Sequence, residues 1–432
     1  MLDMDNIFTG FPILEATAHT DCQIILAMSE YCPDDSFSFV TAMSSQPVIQ
    51  YNLKAGQQIR KEAFEPYSFK KAALLIKSGK ATVTGFCVRN YIRDMAEAKQ
   101  LTFDDPVLQD VYDAALRTFS HNAVDLLTDC PSRERAGWLC DSYFTAQAEH
   151  FLFGKTPVED AFLQNYILCK PDSGYPEGAL PMTYPADPCN NFEFIPQWDM
   201  WYVLEVCQYL TQRTPRWDKA AFLPSVQGIV DFLRRYENEW GLLENLPGWN
   251  FVEWSDANTW VQDVNYPTNF LYAGMLKAVE KVFGMPFGEK ADRIRKEVIR
   301  RAFNGEMFVD HGKREGSAIV NYDHISEACQ YYAVLFGGFD LNAPEFAKLK
   351  KGIIEGFQSC QAEGFCRINA FIGMYLLLDV LKAMGDRKLL NDNIKAFFGG
   401  MCEKTGTLWE YKTPVCSLDH GFASYVITLM QN

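Results

Sequence analysis

The run Asp129-Cys130-Pro131-Ser132-Arg133-Glu134-Arg135-Ala136-Gly137-Trp138-Leu139-Cys140-Asp141 lies between two apolar periodic stretches of helical length, Pro106–Leu127 and Asp141–Phe153. Pro131 lacks an amide donor and Gly137 is conformationally loose, so both oppose a helix here. The run therefore reads as a loop joining two helices. It presents three carboxylates, two arginines and a tryptophan together. The plainer reading is a solvated charged loop with Asp141 capping the second helix. A surface loop gains little from Trp138, however, and Arg133 beside Glu134 suggests a tuned carboxyl group.

Downstream of this loop the helical texture repeats. Asp104-Asp105-Pro106 is a helix-start signal. After Asp141–Phe153 come Val158–Cys169, Gln197–Thr211, Trp217–Tyr236, Pro267–Phe283, Glu289–Phe303, Ile325–Phe336, Ala343–Gln358, Ile368–Met384, Lys388–Cys402 and Gly421–Met430. About twelve helices match six antiparallel hairpins closed into a ring, with inner helices buried all round and outer ones amphipathic. Trp201–Leu210 suits an inner helix and Lys388–Phe398 an outer one. Two long loops, Asp172–Pro196 and Asn245–Asn265, mix Pro, Gly and Asn with aromatics, and loops of that length are usually functional or disordered.

Upstream the texture is that of strands. Ala16–Ser29, Ser36–Met43, Val48–Leu53, Ala72–Lys77 and Ala81–Arg89 carry β-branched and alternating residues, with turns at Gly56 and Ser78-Gly79. Asp5–Tyr91 reads as an antiparallel β-sandwich-like piece. The expected architecture is mainly α: an (α/α)6 toroid over residues 101–432, preceded by a small antiparallel β-sandwich-like domain over residues 1–100.

Composition narrows the partners. The formal net charge is −15, which argues against nucleic acid or an anionic membrane surface and leaves a neutral sugar as a compatible substrate. Solubility alone also accounts for that charge. No apolar run reaches the roughly 18–20 residues of a membrane helix. The start, Met1-Leu2-Asp3-Met4-Asp5, lacks the basic-then-apolar layout of a secretory signal. The expected location is the cytoplasm, or the periplasm if a signal precedes this sequence. Thirteen cysteines, many in apolar stretches, suit buried thiols better than a disulfide framework. No CxxC pair occurs and Cys360 and Cys366 have no nearby histidine, so no metal site is expected; no nucleotide or redox motif calls for a cofactor.

The 129–141 run resembles the Asp-Cys-Pro-x-Arg-(x)-Glu-Arg-x-Gly-Trp-x-x-Asp signature of bacterial α-L-rhamnosidases, glycoside hydrolase family 78. The resemblance implies Glu134 as general acid, Asp129 and Asp141 as contacts to sugar hydroxyls, and Arg133 and Trp138 as further binding residues. Ile195-Pro196-Gln197-Trp198-Asp199-Met200-Trp201 looks like the family segment that opens an inner helix, which nominates Trp198 and Trp201. For Trp201 a core position is the plainer reading. Trp249-Asn250-Phe251-Val252-Glu253-Trp254 looks like the family's Trp-x-Phe-x-Asp-Trp loop, with Glu253 in place of the aspartate and Trp254 as the sugar-facing aromatic. Gly406-Thr407-Leu408-Trp409-Glu410 resembles Gly-Ala-Thr-Thr-x-Trp-Glu, whose glutamate is the general base, and Ser417-Leu418-Asp419-His420-Gly421 resembles the element whose histidine lies beside the sugar. The likeness covers roughly Lys61 to Asn432, including Phe64-Glu65-Pro66 ahead of the strands. Family members usually carry more sequence before this point, and many carry a further C-terminal β domain.

An inverting mechanism needs one protonated carboxyl at the leaving oxygen and one carboxylate activating water, roughly 6.5–9.5 Å apart. Glu134 and Glu410 fill these roles only if the fold brings the two together. Asp129, Asp141 and burial by Trp138 are expected to keep Glu134 protonated, with Arg133 opposing unless it points toward another acid. The implied activity is release of terminal α-L-rhamnose from a glycoside. The rivals are another toroid glycosidase or a polysaccharide lyase, and a non-catalytic sugar-binding relative. Release of an unsaturated product marks a lyase, and binding of L-rhamnose without turnover marks a binding protein.

Overall fold

Strand β1 (Leu2–Ala18) organises the N-terminal sheet, in a computed structural model that describes residues 1–33, 36–40, 46–170, 174–185, 193–358 and 365–430. The sheet is antiparallel and adds β2 (Cys22–Ser29), β3 (Val48–Leu53), β4 (Gln58–Glu62), β5 (Tyr67–Ser78) and β6 (Ala81–Asn90). β5 pairs with the first half of β1, at Leu2–Asp3 and Phe8–Gly10. β4 and β6 flank its second half, at Ile13–Thr17 and Gly10–Ala18. Leu14, Ala16 and Ala18 of β1 thus pack with Cys22 and Ile24 of β2 and Leu53 of β3. The sandwich-like packing expected from the sequence comes from one continuous sheet sharing a long strand, not from two separate sheets. Of the strand expected at Ser36–Met43, residues 36–40 take no strand conformation, with Phe37 edge-on to Phe39, and residues 41–43 lie outside the described residues.

Eleven α-helices follow among the described residues, each where an apolar period predicts one. They are α1 (Pro106–Asn122), α2 (Asp141–Phe153), α3 (Pro157–Leu168), α4 (Pro196–Gln212), α5 (Lys219–Arg234), α6 (Tyr266–Phe283), α7 (Gly288–Ala302), α8 (Glu327–Phe336), α9 (Ala347–Ile354), α10 (Tyr375–Met384) and α11 (Arg387–Thr405). Start signals work as chemistry dictates. Asp105 accepts from the Val107 and Leu108 amides with Pro106 at the first helical position, and Asn265 accepts from Thr268 ahead of α6. α1 ends at Asn122, short of the expected Leu127, because the chain turns back through a bridge between Ala123 and Leu127. The expected twelfth helix is a 3-10 segment, Gly421–Thr428. It is tightened by bonds such as Ala423 N to His420 O and Leu429 N to Val426 O, while the Gly421 amide is drawn away to Asp129 O.

The chain forms two compact units. The first comprises Met1–Ala136, Phe144–Phe153 and Ile394–Asn432; the second comprises Gly137–Tyr143 and Gly154–Asn393. In the first, the C-terminal end of α1 holds the last loop: Leu408 N donates to Thr118 Oγ1, and Asp419 is paired with His121 and Asn122. In the second, helices alternate in character. α4 and α6 are buried on most faces, whereas α5 and α7 bury one stripe each, Ala291, Ile294, Val298 and Ala302 in α7. α4 packs on α6, α6 on α8 and α8 on α10, with α5 and α7 each against its preceding helix. This is the hairpin pattern that the sequence periods imply. No helix among the described residues is long and apolar enough to cross a membrane.

Candidate active site

Two loops of the first unit converge on one guanidinium. Asp129 N donates to Ala136 O and Asp129 Oδ1 accepts from Ala136 N, which closes residues 129–136 into a tight loop. That closure presents Arg133 with its Nε 2.9 Å from Glu134 Oε1 and its terminal nitrogen 3.3 Å from Glu410 Oε2. Arg133 and Glu410 are 277 positions apart in the chain. Glu410 is 4% exposed, fixed by its own amide on Ser417 O and by Ser417 N on its Oε2 at 3.3 Å. His420 Nδ1 lies 3.7 Å from the same oxygen. The two loops also join directly, Gly421 N donating to Asp129 O at 2.6 Å. A side chain at 421 would meet Thr128 O at 2.4 Å, so the approach requires glycine.

Burial and charge set the protonation of this cluster. Burial works against the Arg133 charge, but Glu410, Glu134 and Asp129 outweigh it and hold the guanidinium protonated. Burial, reinforced by the Glu134 charge, pushes the Asp129 carboxyl well above the carboxylate range. Burial, reinforced by Arg133, holds the His420 imidazole well below its ordinary range, so it is neutral. Glu134 stands beside the same guanidinium. Its side chain is 35% exposed, and Arg133 points at both glutamates at once.

The raised Asp129 carboxyl gives a signed pH prediction. The folded chain keeps this proton at pH values where the unfolded chain has released it, above about 3.9. The group's contribution to stability is thus present at low pH and lost as pH rises through its raised value. Asp129→Asn, neutral at every pH, is expected to flatten that loss. Urea midpoints measured from about pH 4 upward check it, and a slope identical to that of the unsubstituted protein refutes it.

The remaining expected site residues belong to the second unit. Trp138 is half-buried, bridged to Thr183, with its carbonyl accepting from Ser142 N. Asp141 is buried at the start of α2. Trp198 is 3% exposed, its ring edge-on to Phe251 at 4.6 Å and to Phe371 at 5.8 Å. Trp201 is 2% exposed among Tyr143, Tyr332 and Phe336, so the expectation of a sugar contact gives way to a packing role. Trp254 stays half-buried, edge-on to Phe251 at 4.6 Å and 5.9 Å from the half-buried Trp249.

Glu253 also departs from its expected sugar contact. It is fully buried, and its two oxygens accept from Asn369 N and Gly373 N, tying the segment that leads into α10. Glu253→Ala would leave these buried amides unsatisfied at about 1–3 kcal/mol each. The expected result is a melting temperature several degrees lower, with Glu253→Gln, which keeps one acceptor oxygen, recovering part of it. Calorimetry showing no loss in the alanine variant would exclude this role.

Among the described residues, Asp129, Cys130 and His420 bring one donor atom each within 4.8 Å of one another. Burial and Asp129 push the Cys130 thiol well up. The eleven cysteines among the described residues are all free thiols. The long loop expected at Asp172–Pro196 falls partly outside the described residues, as does Cys360. Sequence reasoning missed Glu30, Trp249 and the His121–Asp419 pair. Trp249 and Asp419 carried a visible signal, since each lies inside a motif that resembles a family element.

Buried helices α4 and α6, each paired with an amphipathic neighbour, define a helical-hairpin domain. The family match places the chain within that class. The chain belongs to the bacterial α-L-rhamnosidase six-hairpin glycosidase domain family, which matches residues 96–410. Among solved structures it is similar to a family GH78 rhamnosidase of Bacillus sp. GL1, at 18% identity and a TM-score of 0.83, over 98% of this chain and 45% of that one. It is also similar to the rhamnosidase from Klebsiella oxytoca with rhamnose bound, at 15% identity and a TM-score of 0.78, over 98% of this chain and 85% of that one. The Streptomyces avermitilis α-L-rhamnosidase complexed with L-rhamnose gives 17% identity and a TM-score of 0.70, over 99% and 41%. At these identities the likeness is one of fold. The chain spans less than half the length of the Bacillus and Streptomyces relatives. No curated protein sequence matches it.

Proposed function

We propose that the chain is an inverting glycoside hydrolase that releases terminal α-L-rhamnose, with Glu134 as general acid and Glu410 as general base. In the same reading the hairpins close into the (α/α)6 toroid over residues 101–432, and residues 1–100 form the β domain. The observation that carries it is Arg133, one planar group in contact with both carboxylates. Two such contacts limit the span between the glutamates to a distance compatible with the roughly 6.5–9.5 Å of inverting enzymes.

Glu134, the more exposed of the two, delivers a proton to the glycosidic oxygen as the bond to the anomeric carbon breaks. Glu410, buried and held by Ser417, takes a proton from the water that attacks the opposite face. One water is consumed, one hydroxyl appears on each product, and solvent returns the proton from Glu410 to Glu134. The first sugar released carries the inverted anomeric configuration. Asp129, neutral by burial, donates to a sugar hydroxyl; neutral His420 and Arg133 complete the polar contacts. The reading also assigns sugar contacts to Trp138, Asp141, Trp198 and Trp254. L-Rhamnose as the sugar draws on the family and on the rhamnose held in the Klebsiella and Streptomyces relatives. A panel of aryl α-L-glycosides, with NMR reading the anomer first formed, tests it. Selective turnover of the rhamnoside to β-L-rhamnose is expected. Turnover with retention, or none in a protein that still binds L-rhamnose, would overturn it.

A further inference from the structure

The inward row of β2 ends on a charge. Cys22, Ile24, Leu26 and Met28 alternate into the core at 4% exposure or less, and the next residue in the row, Glu30, is 2% exposed. Period-two alternation calls for an apolar side chain there, and a carboxylate so buried is costly unless hydrogen-bonded. Its surroundings are two loops. Glu30 Oε2 accepts from Leu418 N at 2.8 Å, on the loop that carries Glu410 and His420. Ser132, from the loop that carries Glu134, lines a small cavity with Glu30, Met28 and Ser68. Burial pushes the Glu30 carboxyl up to about 7, against Leu418, Ser132 and Arg133, with Asp419 adding to the rise.

We infer that Glu30 is a positioning residue which the sheet supplies to the site: it ties the Leu418 amide of one loop, faces Ser132 and Arg133 of the other, and so fixes how Glu134 and Glu410 stand to each other. This rests on the proposed roles of the two glutamates. It also gives the sheet a part in catalysis, since the end of β2, together with α1, holds the loop of Glu410 and His420.

The test uses the full chain with Glu30→Gln, which keeps an oxygen for Leu418 N, and Glu30→Met, which keeps the volume and removes the acceptor. On an aryl α-L-rhamnoside, Glu30→Met is expected to lose kcat by about 100-fold with KM within threefold. Glu30→Gln should stay within threefold in both. By hydrogen exchange, peptides spanning 410–420 and 129–136 should exchange at least tenfold faster in Glu30→Met, with β1 and β3 peptides unchanged. Wild-type kcat in Glu30→Met, a loss that Glu30→Gln does not repair, or exchange that rises equally across the sheet would each overturn the inference. If the wild-type protein hydrolyses no rhamnoside, the functional reading fails, and the exchange pattern alone still decides whether Glu30 holds the two loops.

Discussion

Glu410→Ala is expected to reduce hydrolysis of an α-L-rhamnoside by roughly 10²–10⁴-fold, the contribution of one general base, and sodium azide is expected to restore part of it. The carboxylate is almost wholly buried, and Arg133, the Ser417 amide and the 410–417 backbone pair fix its direction. Such a group has no rotational freedom to lose when water attacks, which is the condition for efficient base catalysis. Removing it leaves a space lined by the Arg133 guanidinium and neutral His420, and a small anion fits there by charge. The azide adduct should carry the inverted anomeric configuration, as the first-released sugar does in the unsubstituted enzyme. Hydrolysis at the wild-type rate in this variant would place the base elsewhere in the chain.

Glu134→Gln should divide substrates by their leaving groups. A natural aglycone with a poorly acidic hydroxyl needs the proton and should lose roughly 10²–10⁴-fold in kcat. An activated aryl rhamnoside, whose phenolate leaves unaided, should lose far less. A plot of rate against leaving-group acidity, steep in the variant and shallow in the wild type, is the measurement that checks it. A second readout follows from the electrostatics. The Glu134 charge is one of the causes that raise the neighbouring Asp129 carboxyl, after burial. Glu134→Gln should therefore lower the pH at which Asp129 loses its proton, visible as a loss of stability on raising pH that levels off sooner and is smaller in total. Equal losses on every substrate would leave Glu134 a binding residue and not an acid.

The pair of predictions shows where sequence reading reached and where it stopped. Helix positions were legible because an apolar stripe repeats every three to four residues whatever the rest of the chain does. Caps such as Asp105-Pro106 were legible for the same reason, since a cap acts within one turn. The 129–141 loop could be nominated because its residue types are dense in chemistry over a short span, whereas the Trp-Glu and Asp-His-Gly elements were nominated by their resemblance to family motifs. The twelfth helix is a 3-10 segment instead, with i to i+3 bonds such as Ala423 N to His420 O, a distinction that an apolar period does not make. Over residues 36–40 the alternation of Phe37 and Phe39 with serines predicts a strand that the described residues do not form, since alternation alone supplies no pairing strand.

Residue composition and spacing determined, unaided, that this is a helical-hairpin protein with a leading sheet, and which loops bear its acids. Only the folded chain decided which charge faces which. It put one arginine between Glu134 and Glu410, turned Glu253 inward onto two amides, and carried Glu30 from a strand end to the Leu418 amide. The reason is range: apolar periodicity and capping act over a few neighbouring residues, whereas desolvation and ion pairing depend on whatever the fold brings alongside.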